Sequence, residues 1–152
     1  MYFSMQNRFF ATRAALVALA VAALTVSVAA RVRAFQADPE AAKIKNPVAT
    51  SPESIAAGKK VYDTNCGGCH GSKAEGAERA GIVVSVIEDQ GGKQPPDLTD
   101  DKWDHGSSDG EIFTVIKKGV GPQFFMAPWD GRMTDTEIWN VINYIRSLSQ
   151  KK

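Results

Sequence analysis

The sequence predicts an all-α fold for one small domain, and three observations carry that expectation. Length and composition suit a single domain with an extra piece at one end: 152 residues, 43% hydrophobic and 23% charged. Helix-start signals stand at Ser51, Ser108 and Thr134. Behind each of them apolar residues return at helical spacing.

Ser51 is placed to cap a helix whose first residue is Pro52, where the missing N–H costs nothing. Ile55, Gly58, Tyr62 and Cys66 then share one side of that helix. The stretch 71–94 is rich in Gly, Ala and charge, apart from the apolar run Ile82-Val83-Val84-Ser85-Val86-Ile87. That run reads as part of a core wall, with strand and buried helical turn equally compatible with its pattern. Pro95 and Pro96 make residues 95–100 irregular. Ser108-Asp109-Gly110-Glu111 matches a capping box, and Ile112, Phe113, Val115 and Ile116 behind it form the apolar face of a short helix that stops at Gly119. A loop bearing Gly and Pro follows over 119–129. Thr134-Asp135-Thr136-Glu137 opens a second capping box, with Ile138, Val141, Ile142, Ile145 and Leu148 spaced as one helix face.

Residues 1–34 contain no acidic side chain, carry Arg8 and Arg13 early, and run almost wholly apolar from Ala14 to Ala30. A basic start, an apolar middle and small residues at the end make a secretory signal peptide, cleaved after Ala30 or after Ala34. The competing reading is an N-terminal membrane anchor, because the apolar run sits at the lower edge of spanning length. Either way the folded part is exported, to the periplasm or its equivalent, and tethered to a membrane only if this segment is retained. Residues 35–50, with two prolines and few large apolar groups, read as a linker, and residues 51–150 as the domain. Without 1–34 the chain keeps fourteen basic against seventeen acidic residues, a balance of −3. Nucleic-acid binding needs a basic surface and is not expected.

The chemistry concentrates in Cys66-Gly67-Gly68-Cys69-His70, which holds both cysteines of the chain. Three residues of separation put two thiols on one side of a helical turn, positioned to add to the two vinyl groups on one edge of a porphyrin. The adjacent His70 supplies an imidazole for the iron. Other uses of the pair fit less well. A Cys66–Cys69 disulfide closes too short a loop to stabilise much. A thiol redox pair wants a preceding strand and a βαβ setting. Zinc needs a fourth ligand, and His105 is the only other histidine.

Over residues 51–149 the exported part resembles a class I c-type cytochrome domain, a small helical fold wrapped around one covalent haem. The resemblance implies roles for Gly58 and Tyr62 at a helix crossing and for Trp139, Tyr144 and Leu148 on the closing helix. It implies covalent haem c at Cys66 and Cys69, His70 on the iron, and Met126 as sixth ligand, since Met126-Ala127-Pro128-Trp129 resembles the family's methionine loop with one alanine inserted. A thioether favours ferrous iron, and a saturated iron can only pass electrons. Met133, placed before the cap residue Thr134, and His105, in a turn before the Ser108 cap, are the competitors for that position, beside an open site.

The resemblance also implies that a proline carbonyl, from Pro95 or Pro96, accepts from the outer nitrogen of His70. Trp103 is read either as a propionate contact or as a packing residue, Trp129 as a cover for the ligand loop, and Lys117 and Lys118 as a solvated helix end. The expected function is therefore electron transfer by a mono-haem carrier that is not itself an enzyme, between redox donor and acceptor proteins such as a membrane oxidase or a quinoprotein dehydrogenase. The alternatives are a haem enzyme or gas sensor with an open axial position, and a thiol oxidoreductase.

Overall fold

The computed structural model describes residues 38–149, and among these every regular element is helical. A 3₁₀ turn, Ala41–Lys43, precedes α1 (Pro52–Asn65), α2 (Gly67–His70), α3 (Gly76–Ala80), α4 (Ser85–Asp89), α5 (Asp109–Lys118) and α6 (Asp135–Ser149). The extended contacts among them are two isolated bridges, Val120 with Met126 and Asp130 with Met133. The signal-peptide reading of 1–34 lies outside the described residues.

The three long helices begin where their side chains satisfy the first free amides. Ser51 Oγ accepts from the Ser54 amide at 3.2 Å, and Ser54 Oγ accepts from the Ser51 amide at 3.1 Å. Ser108 and Glu111 make the same reciprocal pair at 3.3 and 2.9 Å, as do Thr134 and Glu137 at 3.3 and 2.8 Å. Gly119, at φ 71°, ends α5 in a backbone conformation that a side chain would strain.

Helices α1 and α6 make the most extensive contact, and Gly58 allows it. A Cβ on Gly58 would lie 1.9 Å from the Asn140 carbonyl oxygen, so the two backbones meet only because that atom is missing. One turn along, the ring of Tyr62 lies 5.3 Å from that of Tyr144. Tyr62, Ile138, Val141 and Ile142 are fully buried around this crossing, each contributing roughly 1.5–3 kcal/mol of apolar burial. Helix α5 closes the other side, stacking Phe113 on Trp139 at 4.1 Å. Lys117 joins the end of α5 to the start of α6 by pairing with Asp135 at 2.7 Å. The pair lies at the surface, as expected of a solvated helix end.

Two segments differ from expectation. In the run 82–87 only Ile87 is buried, whereas Val83 and Val86 are 66% and 54% exposed. The backbone of Val84 bonds to the Gln94 amide group in both directions, at 3.2 and 3.3 Å, and the chain then turns into α4. A five-residue helix can direct only one of these apolar side chains inward, so the run does not form a core wall. Residues 38–50 are docked as a strap. Ala41 is buried, its carbonyl against Gly110, and the Asn46 side chain donates to Asn143 Oδ1 at 2.9 Å. Asn143 is itself buried and donates to Ser54 Oγ at 3.1 Å and to the Val48 carbonyl at 3.2 Å, while Thr50 donates to its Oδ1 at 3.2 Å.

Candidate functional site

The last turn of α1 delivers the cysteine motif. The Cys66 amide donates to the Tyr62 carbonyl at 2.8 Å, and the His70 amide donates to the Cys66 carbonyl at 2.9 Å, so α2 starts where α1 stops. Cys66 is half-buried against the core while Cys69 is exposed, and the two are not bridged. Burial, and secondarily the neighbouring Cys69, pushes the Cys66 thiol up to about 11. A Cβ at Gly67 would only come into ordinary contact with the Tyr62 ring, and at Gly68 it would meet nothing.

Two elements hold His70. Behind it, Gly71 at φ 81° ends α2, and its carbonyl accepts from the buried Tyr62 hydroxyl at 2.9 Å. That bond ties the residue after His70 to the middle of α1. Beside it, residues 95–98 lie along residues 74–77, with the Ala77 amide donating to the Pro95 carbonyl at 2.9 Å and the Leu98 amide to the Ala74 carbonyl at 2.8 Å. Pro95 is thereby used within the loop. It is the Pro96 carbonyl that acts on the imidazole.

Burial pushes the His70 imidazole below its usual pKa, and the Pro96 carbonyl partly opposes this. The ring is therefore neutral near neutral pH, as a metal ligand must be. Nδ1 is nevertheless the one buried side-chain nitrogen or oxygen among the described residues without a hydrogen bond of ordinary geometry.

Met126 lies in the loop that joins α5 to α6, half-buried against the same core cluster as Cys66. The loop is fastened to the end of α5. The Val120 amide donates to the Met126 carbonyl at 2.9 Å, Trp129 donates to the Ile116 carbonyl at 3.2 Å, and Asp130 to the Lys117 carbonyl at 3.1 Å. Gly119 packs under the loop, where a Cβ would come within 2.6 Å of the Met126 oxygen. Trp129 is half-buried over the core, with Arg132 stacked 4.2 Å from its ring.

The other candidates occupy different settings. Met133 also packs on the core, directly before the Thr134 cap, and His105 is half-buried in the turn preceding Ser108. Trp103 uses its indole N–H on the Asp100 carbonyl at 3.1 Å and its face on Arg146, which favours packing over the propionate contact. Among the described residues no three His, Cys, Asp or Glu side chains converge on a metal position.

This donor set suits a covalently attached porphyrin. Two unbridged thiols three residues apart lie on one helical turn, an imidazole whose Nδ1 is buried without a partner follows them, and a thioether is lodged in the same core. Sequence reasoning missed the Tyr62 hydroxyl bond, the docking of 95–98 on α3, and the Asn143 hub. An asparagine between Ile142 and Tyr144 on an otherwise apolar face was the available signal for the last.

The family described as cytochrome c oxidase, cbb3-type, subunit III, matches residues 53–145. A cbb3-type cytochrome c oxidase subunit CcoP of Azospirillum sp. (strain B510) is 30% identical over 107 residues, covering 70% of this chain and 33% of that protein. A subunit FixP of Bradyrhizobium sp. (strain ORS 278) is 32% identical over 97 residues, covering 64% and 28%. The chain thus spans about a third of the length of the curated relatives it matches. Among solved structures, the Kuenenia stuttgartiensis reducing HAO-like protein complex contains a chain 26% identical, with a TM-score of 0.55 over 69% of this chain and 49% of that one.

Proposed function

The chain belongs to the family of cytochrome c oxidase, cbb3-type, subunit III, and from that premise we propose that its domain is a mono-haem electron carrier with His70 and Met126 as iron ligands. The observation that carries the proposal is the placement of Cys66, Cys69 and a half-buried His70 on one helical turn within the matched residues. When bound, haem c supplies a one-electron ferric–ferrous couple.

The residues divide the remaining work. Cys66 and Cys69 would hold the group as thioethers, and the chain has no further cysteines, so we assign one haem to it. Tyr62, through Gly71, fixes the backbone at His70, and burial keeps the imidazole unprotonated. The Met126 loop is held to α5 by backbone bonds rather than by packing alone, which suits a ligand that must stay in place in both oxidation states. With His70 and Met126 both holding the iron, no position would be open to oxygen or substrate. That favours electron transfer over haem-enzyme and gas-sensing chemistry.

The relatives are oxidase subunits, which supports a membrane oxidase as acceptor over a quinoprotein dehydrogenase as partner. The acid-free, apolar character of 1–34 supports export, with the domain in the periplasm. Among the described residues no helix is long and apolar enough to cross a membrane.

Absorption spectra of the exported, purified protein test the proposal. Covalent-haem bands are expected in the wild type. Met126→Ala is expected to lower the reduction potential and to let carbon monoxide bind the ferrous protein rapidly. A Met126→Ala protein with wild-type potential and ligation refutes His/Met coordination.

A further inference from the structure

The loop carrying Met126 turns back on the end of α5 at one residue, Gly119. Its amide donates to the Val115 carbonyl at 2.8 Å, which keeps it on the helix, and the next amide, of Val120, donates to the Met126 carbonyl at 2.9 Å. A Cβ on Gly119 would lie 2.6 Å from that Met126 oxygen, 2.7 Å from the Pro128 nitrogen and 2.9 Å from the Ala127 carbonyl carbon. All three are backbone atoms around the methionine, so no rotamer relieves the overlap. The φ of 71° and ψ of −177° at Gly119 also fall in a region that is essentially closed to side chains. Across the loop, Phe124 is exposed and holds a φ of 54°, which costs a bulky residue free energy. The loop therefore does not take this shape by local preference. It is held from its two ends, by Val120 on one side and by the bonds of Trp129 and Asp130 to α5 on the other.

We propose that Gly119 is a positioning residue for Met126: its missing side chain lets the backbone of 126–128 close onto the end of α5, and that closure keeps the thioether at the iron. The inference rests on the reading of Met126 as iron ligand. A methyl at Gly119 requires the Met126 oxygen to retreat by most of an ångström to reach ordinary contact, whereas a functional side chain tolerates about 0.5 Å of misplacement. Helix α5 is the firmer side of this contact, since Phe113 and Ile116 are buried in the core. The retreat takes the Met126 carbonyl from the Val120 amide. What remains is a strained loop fastened only beyond the methionine, from which the thioether leaves more often.

Gly131 provides the control. It lies in the same connection between α5 and α6 at φ 73°, but a Cβ there would meet nothing within 4 Å. In the haem-loaded protein, Gly119→Ala is expected to weaken the methionine-to-iron charge-transfer absorption of the ferric form relative to Gly131→Ala, and to lower the reduction potential. Carbon monoxide is expected to bind its ferrous form about tenfold faster, the effect of taking one backbone hydrogen bond from the closed loop. A charge-transfer band or a carbon monoxide rate equal to that of Gly131→Ala overturns the proposal, even where the unfolding midpoint falls, because the glycine is then structural only.

Should Gly119→Ala not fold, the coupling is read from the other side. If closure at Gly119 holds the methionine, the methionine equally holds the closure. Met126→Leu keeps the bulk of the side chain and loses the sulfur. Its Val120 amide is expected to exchange with solvent about tenfold faster than in the wild type, while the Cys66 amide, bonded to the Tyr62 carbonyl, keeps its rate. A Val120 amide unchanged in a Met126→Leu protein whose ligation has changed overturns the proposal. A Met126→Leu protein with wild-type potential and ligation defeats the underlying assignment instead, which keeps the two failures distinct.

Discussion

Replacing Gly58 by alanine sets two effects of opposite sign against each other. In the middle of an exposed helix the change stabilises by about 0.5–1 kcal/mol, because glycine gives up more backbone freedom on folding. Here the new Cβ would lie 1.9 Å from the Asn140 oxygen and 2.4 Å from its carbonyl carbon, both backbone atoms that no rotamer can move. Ordinary contact requires α1 and α6 to separate by more than 1 Å. A radial gap of 0.5–1 Å already forfeits a quarter to a half of each dispersion contact. The loss falls on Tyr62, Ile138, Val141 and Ile142, which are fully buried at this crossing. Overpacking of this kind costs about 1–3 kcal/mol, and with propensity set against it we expect a net loss of about 1 kcal/mol. In a domain of about a hundred residues that is roughly 4–8 °C in Tm. Thermal and urea unfolding of the haem-loaded protein measure it. A midpoint equal to or above wild type means that the helices do not meet at Gly58, and refutes the crossing as described.

Two further outcomes follow from the polar contacts. Asn143→Ala strips partners from Asn46, Thr50 and Val48 together; we expect a loss of about 3 kcal/mol with faster amide exchange over 46–50, and a urea-unfolding loss under 1 kcal/mol contradicts the strap. Thr134 bonds hold the Glu137 carboxyl below its usual 4.5, so the stability it adds is present above pH 4.5 and lost as pH falls below it. Thr134→Ala should remove about 1 kcal/mol and flatten that acid limb. An unchanged limb in the pH titration of stability shows that the cap does not set it.

The parts of the fold legible in the sequence are those decided within a few residues. Ser51, Ser108 and Thr134 mark helix starts because the amide each one caps lies three positions ahead, and Gly119 marks a stop through its own φ. The cysteine motif is legible because covalent chemistry demands its spacing. What escaped reading depends on distant partners. Whether Val83 and Val86 are inside or outside is settled by Gln94 and by the shortness of α4, not by their hydrophobicity. Residues 38–50 look like a linker because few of them are apolar. They are held instead by hydrogen bonds to Asn143, more than ninety positions away. The choice between Pro95 and Pro96 is likewise made by Ala77, which takes the Pro95 carbonyl for itself.

The strap also has a mechanical side. A pull applied at Asp38 does not act first on Ser51 and the cap of α1. It reaches the buried Ala41 turn seated on Gly110, then the bonds that join Asn46 and Thr50 to Asn143. Those contacts hold on α5 and α6, so the load passes into the closing helices and bypasses the turn bearing Cys66, Cys69 and His70. Drag on the N-terminal side of the domain would have to peel the strap away before it could disturb the ligand geometry.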